Sequence, residues 1–141
     1  MLSNKPDLSN FCQRDTNSKC YDIKFKGEGS IDAGGPFRES FTNIASELMS
    51  PVLPLLIKSP NNRNEFGSYR DCYILNSVTL TPATQDMYKV LGAYIGYSFL
   101  TKSPIPLCLA PIVWKQILQE KLTLNDLDDI DSYSFQVLKE L

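Results

Sequence analysis

Histidine is missing from all 141 residues. That removes the commonest general base and the commonest neutral metal ligand together. No Cys-x-x-Cys pair occurs, and Cys12, Cys20, Cys72 and Cys108 stand far apart. Zinc sites favour close ligand pairs, so the spacing argues against a metal, and no cofactor is expected. No Asn-x-Ser/Thr sequon accompanies the cysteines, and no secretory leader is expected. The expectation is reduced thiols in a cytoplasmic or nuclear protein. Long apolar runs are also lacking: Val90 to Leu100 is the longest, closed by Lys89 and Lys102, well short of the roughly 20 residues of a membrane span. An excess of charge of either sign is lacking, with a net of -2 and the lysines and arginines scattered, which excludes the basic footprint of a nucleic-acid binder. There is no internal repeat and no low-complexity tract.

What is present is a globular composition, 43% hydrophobic and 21% charged, in a chain long enough for one domain with a core. Residues 1–20 read as a polar, irregular lead with Phe11 and Cys12 as its only apolar anchors. The stretch that organises the rest starts at Tyr21. Tyr21, Ile23 and Phe25 alternate with Asp22 and Lys24, the period of a strand. Gly27, Gly29, Gly34 and Gly35 punctuate an acidic loop, and Pro36 then opens a helix. Phe37, Phe41, Ile44 and Leu48 give that helix one apolar face, and Pro51 stops it near Met49.

Two readings of the glycine loop compete. Backbone N–H groups before a helix could cradle a phosphate. The spacing is wrong for that, no Gly-Lys-Ser/Thr follows, and Glu28 and Asp32 would repel an anion. The favoured reading is structural: glycines for tight backbone, with Asp32 accepting N–H groups at the helix start. A nucleotide titration would separate the two, with no signal expected.

Downstream, Leu53–Ile57 and Asp71–Leu75 predict a small antiparallel ribbon, and Ser59 to Ser68 reads as a loop by composition. Its tip, residues 61–70, is read as a variable connection rather than a binding loop. Thr81-Pro82 opens a second helix. Apolar residues on nearly every face of Met87–Leu100 predict that it is central and buried all round. Gly92 and Gly96 predict close packing on a neighbouring helix rather than a cofactor crossing. Pro111 opens a helix with Ile112, Trp114, Ile117 and Leu118 inward. Thr123-Leu-Asn-Asp126 resembles a capping box for a short acidic helix, Leu124 to Asp129. Asp126, Asp128, Asp129 and Asp131 lack EF-hand spacing, so they read as helix-start acids on a solvated face. Asp131 or Ser132 caps a last helix with Phe135, Leu138 and Leu141 on one face. The fold class is α+β, mainly α-helical, with a central buried helix, flanking helices and a few short strands.

The run Gly27-Glu-Gly-x-x-Asp32-Ala-Gly-Gly-Pro-x-Arg38-Glu39-x-Phe41 closely resembles the opening signature of the HECT domain of ubiquitin ligases. It departs from that family at Ser40, where a second aromatic is usual. Phe99 to Leu118, Leu122 to Leu127 and Asp131 to Leu141 extend the likeness to residues 21–141, weakest over 58–84. Leu55–Asn61, Arg70-Asp71 and Ala110–Gln116 resemble most the giant HECT ligases with upstream β-propeller repeats.

The resemblance implies a partial N-terminal lobe over 21–141, without the conjugating-enzyme docking subdomain and the catalytic C-terminal lobe. It implies ubiquitin, a conjugating enzyme and a protein substrate as partners, and transfer through a cysteine thioester to a substrate lysine. No catalytic residue carries over, because none of the four cysteines sits in the family's histidine-bearing motif. Gly27, Gly29, Asp32, Gly34, Gly35, Arg38 and Glu39 carry over as structural signature, with Arg38 and Glu39 expected to tie the first helix to its loop and neighbours. The chain is thus expected to be an inactive piece of a ligase with exposed apolar helix faces and poor solubility. The alternative is a stand-alone protein-interaction module built on the same scaffold; the coding sequence after Leu141 would separate them.

Overall fold

The computed structural model describes residues 35–78 and 80–141. The strand expected at 21–25 and the loop from Gly27 to Gly34 lie outside them. The described chain is mainly helical with one two-stranded sheet, in the order α1 (Gly35–Leu48), β1 (Leu56–Lys58), α2 (Pro60–Asn64), β2 (Tyr73–Leu75), α3 (Pro82–Thr101), α4 (Pro111–Ile117), α5 (Asn125–Asp128) and α6 (Ser132–Lys139). The described residues divide into two compact units, residues 35–45 with 81–106 and residues 46–80 with 107–141.

The first unit is built on rings. Phe37 and Phe41 are buried on α1, one turn apart, and Tyr97 of α3 is buried with them. The ring centroids of Phe37 and Phe41 lie 4.8 Å apart, and Tyr97 meets Phe37 edge-on at 6.3 Å. Tyr94 stacks on Phe41 at 4.7 Å, and Ile105 packs against the cluster. Such aromatic pairs add roughly 0.5–1.5 kcal/mol each beyond the area they bury. Ala45 is fully buried on α1, whereas Ile44 is half-buried.

Helix α3 starts where Thr81-Pro82 predicts. The Thr81 hydroxyl accepts the Thr84 N–H at 3.2 Å, and the Thr84 hydroxyl accepts the Thr81 N–H at 2.8 Å. This is a reciprocal box with threonine in place of glutamate. The helix ends at Lys102, left-handed at φ 52, whose N–H reaches the Phe99 carbonyl.

All-round burial of α3 is not observed. Leu91 and Tyr97 are its buried hydrophobic residues, while Met87, Val90, Phe99 and Leu100 are exposed. The described elements cover one side of the helix only. Likewise, a Cβ added at Gly92 or Gly96 meets nothing within 4 Å. The close helix packing expected there is absent among the described residues.

The second unit is organised by backbone and polar side chains. β1 and β2 pair antiparallel in the register Leu56–Leu75, Ile57–Ile74 and Lys58–Tyr73, the predicted ribbon. On its other edge, β2 meets the segment before α4: the Tyr73 N–H donates to the Cys108 carbonyl at 2.7 Å, and the Ala110 N–H to the Tyr73 carbonyl at 2.9 Å. This is a parallel bridge between Tyr73 and Leu109.

The loop expected over 59–68 contains a helix instead. Ser59, fully buried, caps α2 by accepting the Asn62 N–H at 3.1 Å, with Pro60 at the first position. A serine cap before a proline is a helix-start pair that outweighs the asparagines that follow. On α4, Val113 is buried, while Ile117 and Leu118 are exposed. The expected inward face is corrected because the helix ends at Ile117 and Gln119 turns left-handed at φ 56. Asp131 caps α6, accepting the Ser134 N–H at 3.0 Å. Of the face expected to be exposed, Leu138 and Leu141 are exposed and Phe135 is half-buried.

Candidate functional site

Gly27, Gly29, Asp32 and Gly34 lie outside the described residues. Gly35 opens α1, and a Cβ there would meet open space. Arg38 and Glu39 are exposed on α1. Neither side chain has an ion pair with a described residue.

The polar centre of the second unit is Asn61, which is 2% exposed. Its side-chain amide donates to the Ser68 carbonyl at 3.0 Å, to the Asp128 carbonyl at 2.9 Å and to the Ser132 hydroxyl at 3.2 Å. Its side-chain oxygen accepts the Ser132 N–H at 2.8 Å, and its own N–H donates to the Ile130 carbonyl at 2.9 Å. One amide thereby joins α2, the turn after it and the α5–α6 corner.

That turn is strained. Glu65, Gly67 and Tyr69 have φ of 52, 80 and 49, at a cost of about 1–2 kcal/mol for each non-glycine residue. A Cβ on Gly67 would stand 2.1 Å from the Ser132 Oγ, so only glycine fits between the turn and α6.

Two thiols of the second unit share one carboxylate. Cys72 Sγ lies 3.8 Å from Asp71 Oδ1, and Cys108 Sγ lies 3.4 Å from Asp71 Oδ2. Burial, the Asp71 charge and the neighbouring Cys108 push the Cys72 thiol up to about 11. Burial and Asp71 also raise Cys108. Thiols held protonated at neutral pH are poor nucleophiles. Cys12 and Cys20 lie outside the described residues.

The acidic stretch after α4 is not the solvated face expected. Asp126 is 3% exposed. It receives Lys115 Nζ at 2.5 Å, the Thr123 N–H at 2.6 Å and the Thr123 hydroxyl at 2.9 Å. The Lys115 ammonium, with the Thr123 donors, holds its carboxyl down to about 2. The predicted box is half-formed: the acid reaches back to Thr123, while the cap position falls at Leu124 without a side-chain bond. Nothing in the sequence pattern marks Lys115, because its partner lies 11 residues away across a turn. No group of three His, Cys, Asp or Glu side chains among the described residues is arranged to hold a metal, and no described helix is long and apolar enough to cross a membrane.

Against this geometry the comparisons are direct. The family model for the HECT-domain (ubiquitin-transferase) matches residues 42–141. The chain is 42% identical over 113 residues, 80% of its length, to E3 ubiquitin-protein ligase HERC2 of Mus musculus. It is 41% identical to the Homo sapiens protein of the same name over 113 residues. E3 ubiquitin-protein ligase TOM1 of Saccharomyces cerevisiae is 28% identical over 115 residues, 82% of this chain. The chain spans only 2% of the length of either HERC2 protein and 3% of TOM1.

Proposed function

This chain belongs to the HECT-domain (ubiquitin-transferase) family, and from that premise we propose that it is part of the N-terminal lobe of a cytoplasmic HECT-type ubiquitin ligase. Residues 21–141 form the larger subdomain of that lobe. The complete enzyme receives ubiquitin from a conjugating enzyme as a cysteine thioester and passes it to a lysine of a protein substrate. The present stretch contributes scaffold to that reaction. It holds the faces on which other parts of a receiving lobe pack, and contributes no acceptor thiol to ubiquitin transfer.

The observation that carries the scaffold reading is the setting of the two described thiols: both sulfur atoms lie against the Asp71 carboxylate, and Cys72 is buried. An acceptor for ubiquitin needs a thiolate near pH 7. Cys72 is instead pushed up to about 11, and Cys108 is raised beside the same carboxylate. The test is to incubate the 141-residue chain with activating enzyme, conjugating enzyme, ATP and fluorescent ubiquitin, then run it with and without reductant. No reductant-labile adduct is expected on this chain. A labile adduct that disappears with any one of its four cysteines would overturn the reading.

A further inference from the structure

The parallel bridge between Tyr73 and Leu109 sets Cys72 directly opposite Cys108. In this register the bonds from Tyr73 to Cys108 and from Ala110 to Tyr73 fix the two flanking positions side by side. Neighbouring strands run about 4.8 Å apart, inside the Cα separation of 4.4–6.8 Å that a disulfide spans. Opposed residues of parallel strands point to the same face, and both sulfur atoms do reach the one Asp71 carboxylate. Both thiols are free; Cys108 is exposed and Cys72 is buried. That pairing of an accessible thiol with a sheltered neighbour suits exchange in two steps, attack followed by resolution.

We propose that Cys72 and Cys108 are a dithiol modification site that closes to an intramolecular disulfide in the presence of a low-molecular-weight disulfide such as oxidised glutathione. Cys108, as thiolate, attacks one glutathione sulfur; the glutathione S–S bond breaks and one glutathione thiolate leaves. Cys72 then attacks the Cys108 sulfur of the mixed disulfide, expelling the second glutathione. The protein thiols are oxidised, glutathione disulfide is reduced to two thiols, and the two protons end on those thiols. The Asp71 carboxylate is set against both sulfur atoms and, together with burial, opposes their ionisation, which slows the first step. The bond fastens β2 to the segment leading into α4.

The experiment uses the full 141-residue chain with all four cysteines, treated with oxidised glutathione at pH 8 and mapped by mass spectrometry without reduction. The expected product is a Cys72–Cys108 cross-linked peptide, reversed by dithiothreitol. Glutathione retained on Cys108 with no cross-link, or a pairing of either residue with Cys12 or Cys20 instead, would overturn the proposal. Asp71→Asn, which leaves both cysteines in place, should speed closure several-fold at pH 7, and a rate no faster than the parent's would remove Asp71 from the account. The outcome does not depend on the ligase reading, which the ubiquitin adduct assay tests separately.

Discussion

The two units solve the same problem with different materials. In the first, Phe37, Phe41, Tyr94 and Tyr97 pack ring against ring. In the second, an asparagine, two serines and an ion-paired aspartate are as buried as the apolar residues around them. Ring packing is tolerant of shape, because aromatic pairs accept several orientations. A buried amide with every partner satisfied is not, since any lost bond leaves a desolvated group behind. The second unit should therefore be the more sensitive to small changes, and the first to large ones.

Phe41→Ala tests the first half of that contrast and should have the largest effect. Removing a 1% exposed ring is expected to cost about 3–5 kcal/mol, read as a fall in the urea midpoint followed by circular dichroism. Phe41→Leu should recover most of the loss. Gly67→Ala tests the second half with a single methyl group. It meets the Ser132 Oγ at 2.1 Å in a left-handed turn, so the expected cost is about 3 kcal/mol, seen in the fluorescence of Trp114 in the same unit. A midpoint within experimental error of the parent would erase the distinction between the units.

Acid should act on the second unit through Asp126. Its carboxyl titrates at about 2 in the folded chain against an ordinary 3.8, so the folded state binds its proton less readily than the unfolded state. The resulting stabilisation is complete above about pH 5 and is lost as pH falls toward the folded value. Asp126→Asn should flatten that acid limb in a series of urea melts from pH 6 to pH 2; an unchanged slope would show that the carboxylate contributes nothing. Gly92→Ala and Gly96→Ala should instead stabilise the first unit, by roughly 0.5–1 kcal/mol each, because the added methyl groups meet open space. Destabilisation by either would restore the close packing that the sequence predicts. The smallest effect is expected from Arg38→Ala, a slight lowering of the melting temperature if the signature arginine ties α1 to its loop; a superimposable melting curve would end that role.

Legibility in the sequence followed the same divide. Local rules located α1, α3, α4 and the ribbon, because prolines, a threonine cap and apolar periods act within a few residues of themselves. The Ser59-Pro60 start signal was equally local, but it was masked by an Asn-rich stretch that reads as loop. Asn61 and Ser132 could not be found this way. Nothing in a polar side chain's neighbourhood announces that a partner 71 residues away will bury it. The exposure of α3 escaped for the converse reason: an apolar helix states that its faces can be covered, not which of them the chain covers. The signature residues Gly27, Gly29, Asp32 and Gly34 carried the family resemblance without their placement being described.

The long reach of Asn61 has a consequence for how the protein is made. Its amide is synthesised 67 residues before Asp128 and 71 before Ser132. At about 5–20 residues per second, a ribosome takes roughly 4–14 s to deliver those partners. During that interval the Asn61 side chain is without those partners, and the second unit acquires its lock only when translation has passed α5.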